Sequence, residues 1–132
     1  MTIHYKSGYK YQLAQPYSVA TAVTGYKVEQ PFFSLASDGQ LSINMGYAWD
    51  GPSGPAVDSR NFMRPSLVHD CGYQMIRQDL LSEDTRLAWD QLLRKMCLED
   101  GMTRMRAWWV YRAVRWQGDK HTDRPNPVLQ AP

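Results

Sequence analysis

His69-Asp70-Cys71-Gly72-Tyr73, followed after a short polar break by Arg86-Leu87-Ala88-Trp89-Asp90, is the passage that decides how the helical part of this chain folds. Around the first run, Met63, Leu67, Val68, Cys71, Met75 and Ile76 recur at helical spacing. They predict a helix ending near Arg77, with Pro65 in its first turn. Around the second, Leu87, Leu92, Leu93, Met96 and Cys97 supply another apolar face. Ser82 suits its N-cap, Glu83 and Asp84 suit a first turn where the macrodipole favours acids, and Gly101 stops it. The connection from Gln78 to Ser82 is short, so the two helices are expected to be antiparallel neighbours. Asp90 falls about as far beyond that turn as His69 falls before it, so the two can meet. His69 and Tyr73 are four residues apart and share a face, whereas Asp70 is rotated by about 100° and looks elsewhere.

Working outward, a third helix is predicted from about Thr103 to Gln117, stopped by Gly118. Residues 119–132 hold three prolines and few apolar residues, and read as an extended or disordered tail. Toward the N-terminus the period changes. Residues 1–48 read as three to five short strands of a small antiparallel sheet. Tyr9 to Leu13 alternates apolar and polar residues, Val19 to Val23 and Tyr26 to Val28 are β-prone around a Thr24-Gly25 turn, and Phe32 to Leu35 follows Pro31. Asp38-Gly39 is the strongest hairpin signal. Gly46 to Pro55, with three glycines and two prolines, reads as a shaped loop that exposes backbone carbonyls and amides in fixed directions. The expected fold class is α+β, with an N-terminal antiparallel sheet followed by three helices. Residues 1–118 are expected to be one domain, divided into strands to about 48 and the loop plus helices from 49.

Composition narrows the function classes. With 132 residues the chain is long enough to bury about two-thirds of its unfolded surface. Hydrophobic residues at 43% and charged residues at 21% exclude a disordered chain. No run is long and apolar enough to span a membrane, and Met1 to Lys10 holds no signal core, so no secretion signal is expected. A net charge of +2 does not point to nucleic acid. Five tryptophans and eight tyrosines are many for this length; such rings fill small cores and also suit interfaces with lipid, sugar or protein.

A carboxylate that accepts one imidazole proton fixes the tautomer and leaves the other nitrogen as a base. That base can take a proton from water, so no serine nucleophile is required. Charge developing on an attacked carbonyl still needs stabilisation, and a bound cation is one source. Asp70 is placed to hold one, with Asp50 and the Gly51 carbonyl of the glycine-rich loop as natural companions. Two carboxylates about 4 Å apart would repel by roughly 4 kcal/mol at an effective dielectric of 20, which a cation relieves. Cys71 as a nucleophile for His69 is disfavoured, because two residues apart on a helix they diverge by about 160°.

These motifs resemble the phospholipase A2 superfamily, most closely its small bacterial secreted branch, over about residues 47 to 118. Trp49-Asp50-Gly51 is similar to the start of the calcium loop, His69-Asp70-Cys71-Gly72-Tyr73 to the catalytic helix, and Arg86 with Asp90 to the partner helix. Ala107-Trp108 and Tyr111-Arg112-Ala113-Val114 look like the closing helix. The resemblance implies that His69 is the general base, Asp90 its partner, Tyr73 a donor to Asp90, and Asp50, Asp70 and the Gly51 carbonyl calcium ligands. The implied reaction is calcium-dependent hydrolysis of the sn-2 ester of glycerophospholipids. Trp49, Trp108 and Arg112 are the expected lipid-interface residues. From Tyr9 to Gly118 the chain also resembles small proteins of unknown function from tailed bacteriophages and prophages. This implies a phage setting, in the virion or the host cytoplasm, with the bacterial envelope or other tail proteins as partners. The alternative is a non-enzymatic tail-tip or baseplate adaptor on the same scaffold.

The chain departs from that family in its cysteines and its strand-rich front. The bacterial enzymes tie the calcium loop to the catalytic helix with a disulfide, and neither cysteine here stands in that place. With Asp90 facing His69, Cys97 lies opposite about residue 62, roughly 13 Å along the axis from Cys71 and beyond the ~7 Å reach of a disulfide. Free thiols are expected. In the third helix, Trp109, Ala113 and Trp116 are expected to pack on the first two helices with arginines reaching outward. The competing reading lays this helix on anionic lipid.

Overall fold

The Asp38-Gly39 turn forms as its sequence dictates. Gly39 takes φ 95°, its N–H donates to the Ala36 carbonyl, and the Asp38 side chain accepts the Gln40 N–H at 3.0 Å. The turn joins β5 (Phe33–Leu35) to β6 (Gln40–Ile43) with Leu35 opposite Leu41 and Phe33 opposite Ile43. In the computed structural model, which describes residues 3, 5–6, 11–49 and 60–122, the chain divides into two compact units, the first holding the strands and the second the helices.

The fold is α+β as expected, antiparallel strands first and three helices after; among the described residues the first unit holds seven short strands, arranged as two antiparallel sheets. One sheet has the order β3 (Tyr17–Ala20), β6, β5, β4 (Val28–Glu29). Its buried side chains are Val28, Phe33, Leu35, Leu41 and Ile43, and the alternate Ser34 and Ser42 are only partly buried. The other has the order β1 (Tyr5–Lys6), β2 (Tyr11–Leu13), β7 (Ala48–Trp49). β7 lies inside the glycine- and proline-rich run expected to be all loop. Only two residues long and at a sheet edge, it tolerates turn residues on both sides.

The second unit is a helix triplet. α1 (Arg60–Arg77) begins five residues before Pro65, so the proline sits inside the helix rather than in its first turn. Having no N–H, Pro65 cannot itself donate an intrahelical bond. α1 ends in a Schellman motif: Asp79 takes φ 62°, its N–H donates to Ile76 and that of Leu80 to Met75. Ser82 does cap, but it caps a 3-10 turn at Glu83–Thr85, accepting the Asp84 N–H, and α2 (Arg86–Glu99) follows directly. Gly101, at φ 98°, closes α2 in a second Schellman motif, with its N–H on Leu98 and that of Met102 on Cys97. Thr103 caps α3 (Arg104–Thr122) through its hydroxyl and the Arg106 N–H. α3 does not stop at Gly118, since one helical glycine costs only about 1 kcal/mol; residues 119–122 are helical, and the rest of the expected tail lies outside the described residues.

α1 and α2 run antiparallel and are joined at both ends. At one end the buried Arg64 guanidinium holds Asp100 through Nε at 2.9 Å and Nη2 at 2.8 Å, and reaches Glu99 at 3.0 Å. At the other, the Trp89 indole lies on Gly72, where a Cβ would stand 2.3 Å from Trp89 Cδ2. α3 closes the triplet through Ala107 and Val110, which share a core with Phe62, Leu93, Cys97 and Met102. The packed side of α3 is therefore its small residues, with Val114 against the same core. Trp109 and Trp116, expected to pack, are exposed at 53% and 81%. Small residues let two helix axes approach closely, and here that outweighs the area two indoles would bury.

A buried histidine–aspartate pair as candidate functional site

The antiparallel register brings His69 of α1 against Asp90 of α2. Nε2 of His69 lies 2.6 Å from Oδ1 of Asp90, and the Tyr73 hydroxyl, one turn along α1, donates to the same oxygen at 2.5 Å. The His69 and Tyr73 rings lie 4.1 Å apart, the i, i+4 contact their spacing requires. Asp90 is fully buried and His69 nearly so, with 8% of its surface exposed.

Sequence reasoning missed the third partner. Arg115 of α3 donates from Nη1 to Oδ2 of Asp90 at 2.8 Å. Both carboxylate oxygens are thus engaged, by an imidazole, a phenol and a guanidinium from two helices. No spacing rule connects position 115 to position 90; only the azimuth at which α3 docks does.

The electrostatics follow from this geometry. Burial alone would raise the pKa of Asp90, but the bonds from His69, Tyr73 and Arg115 outweigh it and hold the carboxyl below its ordinary range. Burial, then the Asp90 hydrogen bond and charge, push the Tyr73 phenol far above its ordinary value, so it stays a neutral donor. An ionised Asp90 is an acceptor only, so the Nε2 facing it carries the proton. Nδ1 is then the basic nitrogen, and among the described residues nothing bonds to it. Such a pair can accept a proton at Nδ1 while Asp90 stabilises the imidazolium that forms.

The other expected site residues fare differently. Asp70 is partly exposed on α1, one position on from His69. Asp50 and Gly51 lie outside the described residues. Among the described residues no three His, Cys, Asp or Glu side chains converge as a metal site would need, so Asp70 alone of the expected calcium ligands can be placed. Trp49, expected at a lipid interface, is buried at 3% exposure, with its ring 5.7 Å from that of its cross-strand partner Tyr11; its place in β7 takes it off the surface. Trp108 and Arg112 are exposed, and the Arg112 guanidinium lies 5.9 Å from the Trp108 ring centroid. Cys71 and Cys97 form no disulfide and are fully buried, and burial, with the nearby Asp100 charge, pushes the Cys97 thiol up to about 12. No helix among the described residues is long and apolar enough to cross a membrane. No family model, curated protein or solved structure matches the chain.

Proposed function

We propose that this protein is a hydrolase of phospholipid esters, of the phospholipase A2 kind, in which His69 takes a proton from the attacking water. The observation that carries this reading is the 2.6 Å contact between His69 Nε2 and a buried, triply bonded Asp90, which leaves Nδ1 as the base. Tyr73 and Arg115 are positioning residues: they fix Asp90, and Asp90 fixes the imidazole. Calcium is the proposed cofactor, on the sequence pattern, with Asp70, Asp50 and the Gly51 carbonyl as its ligands. When bound it supplies positive charge for the developing oxyanion. A phage setting, with the bacterial envelope as substrate surface, belongs to the same proposal.

Fatty-acid release from phosphatidylglycerol vesicles tests it. Release is expected with millimolar calcium, and loss of ~100-fold or more is expected with a chelator or in His69→Gln, within the usual range for general-base removal. Equal release by wild type and His69→Gln, or none from any phospholipid class, sinks the proposal. A second reading, a non-enzymatic virion adaptor, is favoured by the exposed tryptophans of α3, which suit a protein neighbour. It is supported if the chain assembles with tail proteins and Asp90→Asn leaves infectivity unchanged.

A further inference from the structure

α3 carries an exposed face that the proposed chemistry does not use. Met105, Trp108, Trp109, Arg112 and Trp116 stand at i, i+3, i+4, i+7 and i+11, within about 60° of one line along the helix. Met105 and Trp116 are about as exposed as side chains become, at 80% and 81%, and Trp108 is half exposed. The opposite side of the helix is the one buried through Ala107 and Val110. Four large apolar side chains in one exposed stripe are a costly surface to leave in water, and they mark an interaction site.

Charge selects the occupant. From Arg104 to Thr122 the helix holds four arginines, one lysine and a single acid, Asp119, in a chain whose net charge is only +2. Arg112 stands in the middle of the stripe, against Trp108. A second copy docking by this face would set one arginine-rich helix against another, with a single acid, Asp119, on each to offset five Lys and Arg residues. Indole rings and guanidinium groups together match the boundary of an anionic bilayer, where the ring lies at headgroup depth and the guanidinium bonds phosphate. We infer that α3 is a lipid-docking helix that lies flat on an anionic membrane surface through this stripe. Choosing a bilayer as the occupant rests partly on the hydrolase reading. The geometry also connects the two, because the same helix sends Arg115 from the flank of the stripe to Asp90.

Vesicle flotation tests the inference, using the full chain carrying His69→Gln so that no hydrolysis intervenes. Vesicles of phosphatidylcholine alone are compared with vesicles of phosphatidylcholine and phosphatidylglycerol. Binding is expected to the anionic vesicles and to weaken as salt rises. Arg112→Glu is expected to weaken it about tenfold, and Trp109→Ala with Trp116→Ala by at least as much, with unchanged circular dichroism because all three side chains are exposed. Equal binding to both vesicle types, or binding indifferent to these substitutions, overturns the inference. So does a vesicle-free dimer that the tryptophan substitutions convert to monomer. Docking without hydrolysis by the wild type defeats only the hydrolase proposal, and hydrolysis without docking defeats only this one.

Discussion

Replacing Gly72 by alanine sets two effects of opposite sign against each other. In an open helix the change should stabilise by about 1 kcal/mol, because alanine is the better helix former. Gly72, however, faces Trp89. The added Cβ would stand 2.3, 2.6 and 2.7 Å from Cδ2, Cε2 and Cε3 of that indole. Carbon atoms pack at about 3.5–4.0 Å, so ring and helix must separate by about 1 Å. Trp89 is 0% exposed and has no open side to move toward. Its Nε1 has no hydrogen-bond partner among the described residues, so packing holds the ring. Overpacking of this kind costs about 1–3 kcal/mol, and a rigid ring against helix backbone belongs at the upper end. The expected net effect is a destabilisation of about 1–2 kcal/mol, a fall in the urea midpoint of about 0.5–1 M. His69 and Asp90 bond across the same helix contact, so the proposed hydrolysis should fall as well. Urea unfolding followed by circular dichroism measures it. An unchanged or raised midpoint would refute the close approach of α1 and α2 at this position.

Tyr73→Phe removes a buried hydrogen bond to a charged group and should cost about 1.5–3 kcal/mol near neutral pH, read by the same unfolding experiment. Because the folded phenol titrates far above its unfolded value near 10, its contribution is complete below about pH 10 and is lost as pH rises beyond it. The gap between wild type and Tyr73→Phe should therefore narrow above pH 10. Asp90 has the opposite sign: its folded pKa is depressed, so its contribution holds above about pH 4 and is lost as pH falls below it. Asp90→Asn should flatten the acid limb of the stability curve, and an unaltered acid limb would show that the carboxylate is not held ionised. Both thiols should resist a thiol reagent at mildly alkaline pH until the chain is unfolded, since Cys71 and Cys97 are buried and the Cys97 thiol stays protonated. Rapid labelling of the folded protein at either position would contradict their burial.

What could be read from the residues depended on the range of the interaction. The Asp38-Gly39 hairpin, the Gly101 stop and the Thr103 start are set by a few neighbouring residues, and each forms where its residues place it. The His69–Asp90 contact was legible because an antiparallel pair with a short connection has nearly a fixed register, which also sets Phe62 and Cys97 in one core. The rotation of α3 was not legible. Size alone favours burying Trp109 and Trp116, whereas close packing favours Ala107 and Val110, and the second preference prevails. Arg115 as a partner of Asp90 follows from that rotation and was hidden with it. The two-residue strand β7 escaped because its pairing is settled by β2, more than thirty positions earlier, and not by its own glycine-rich surroundings.

The claim beneath the proposed chemistry is that Asp90 keeps the His69 proton on Nε2 and leaves Nδ1 free. Nitrogen-detected NMR of the imidazoles reads this directly, with His69 assigned among the three histidines by the His69→Gln spectrum. The neutral ring should show one protonated nitrogen, Nε2, in a strong hydrogen bond that Asp90→Asn weakens or abolishes. A proton found on Nδ1, or a resonance indifferent to Asp90→Asn, would contradict the account.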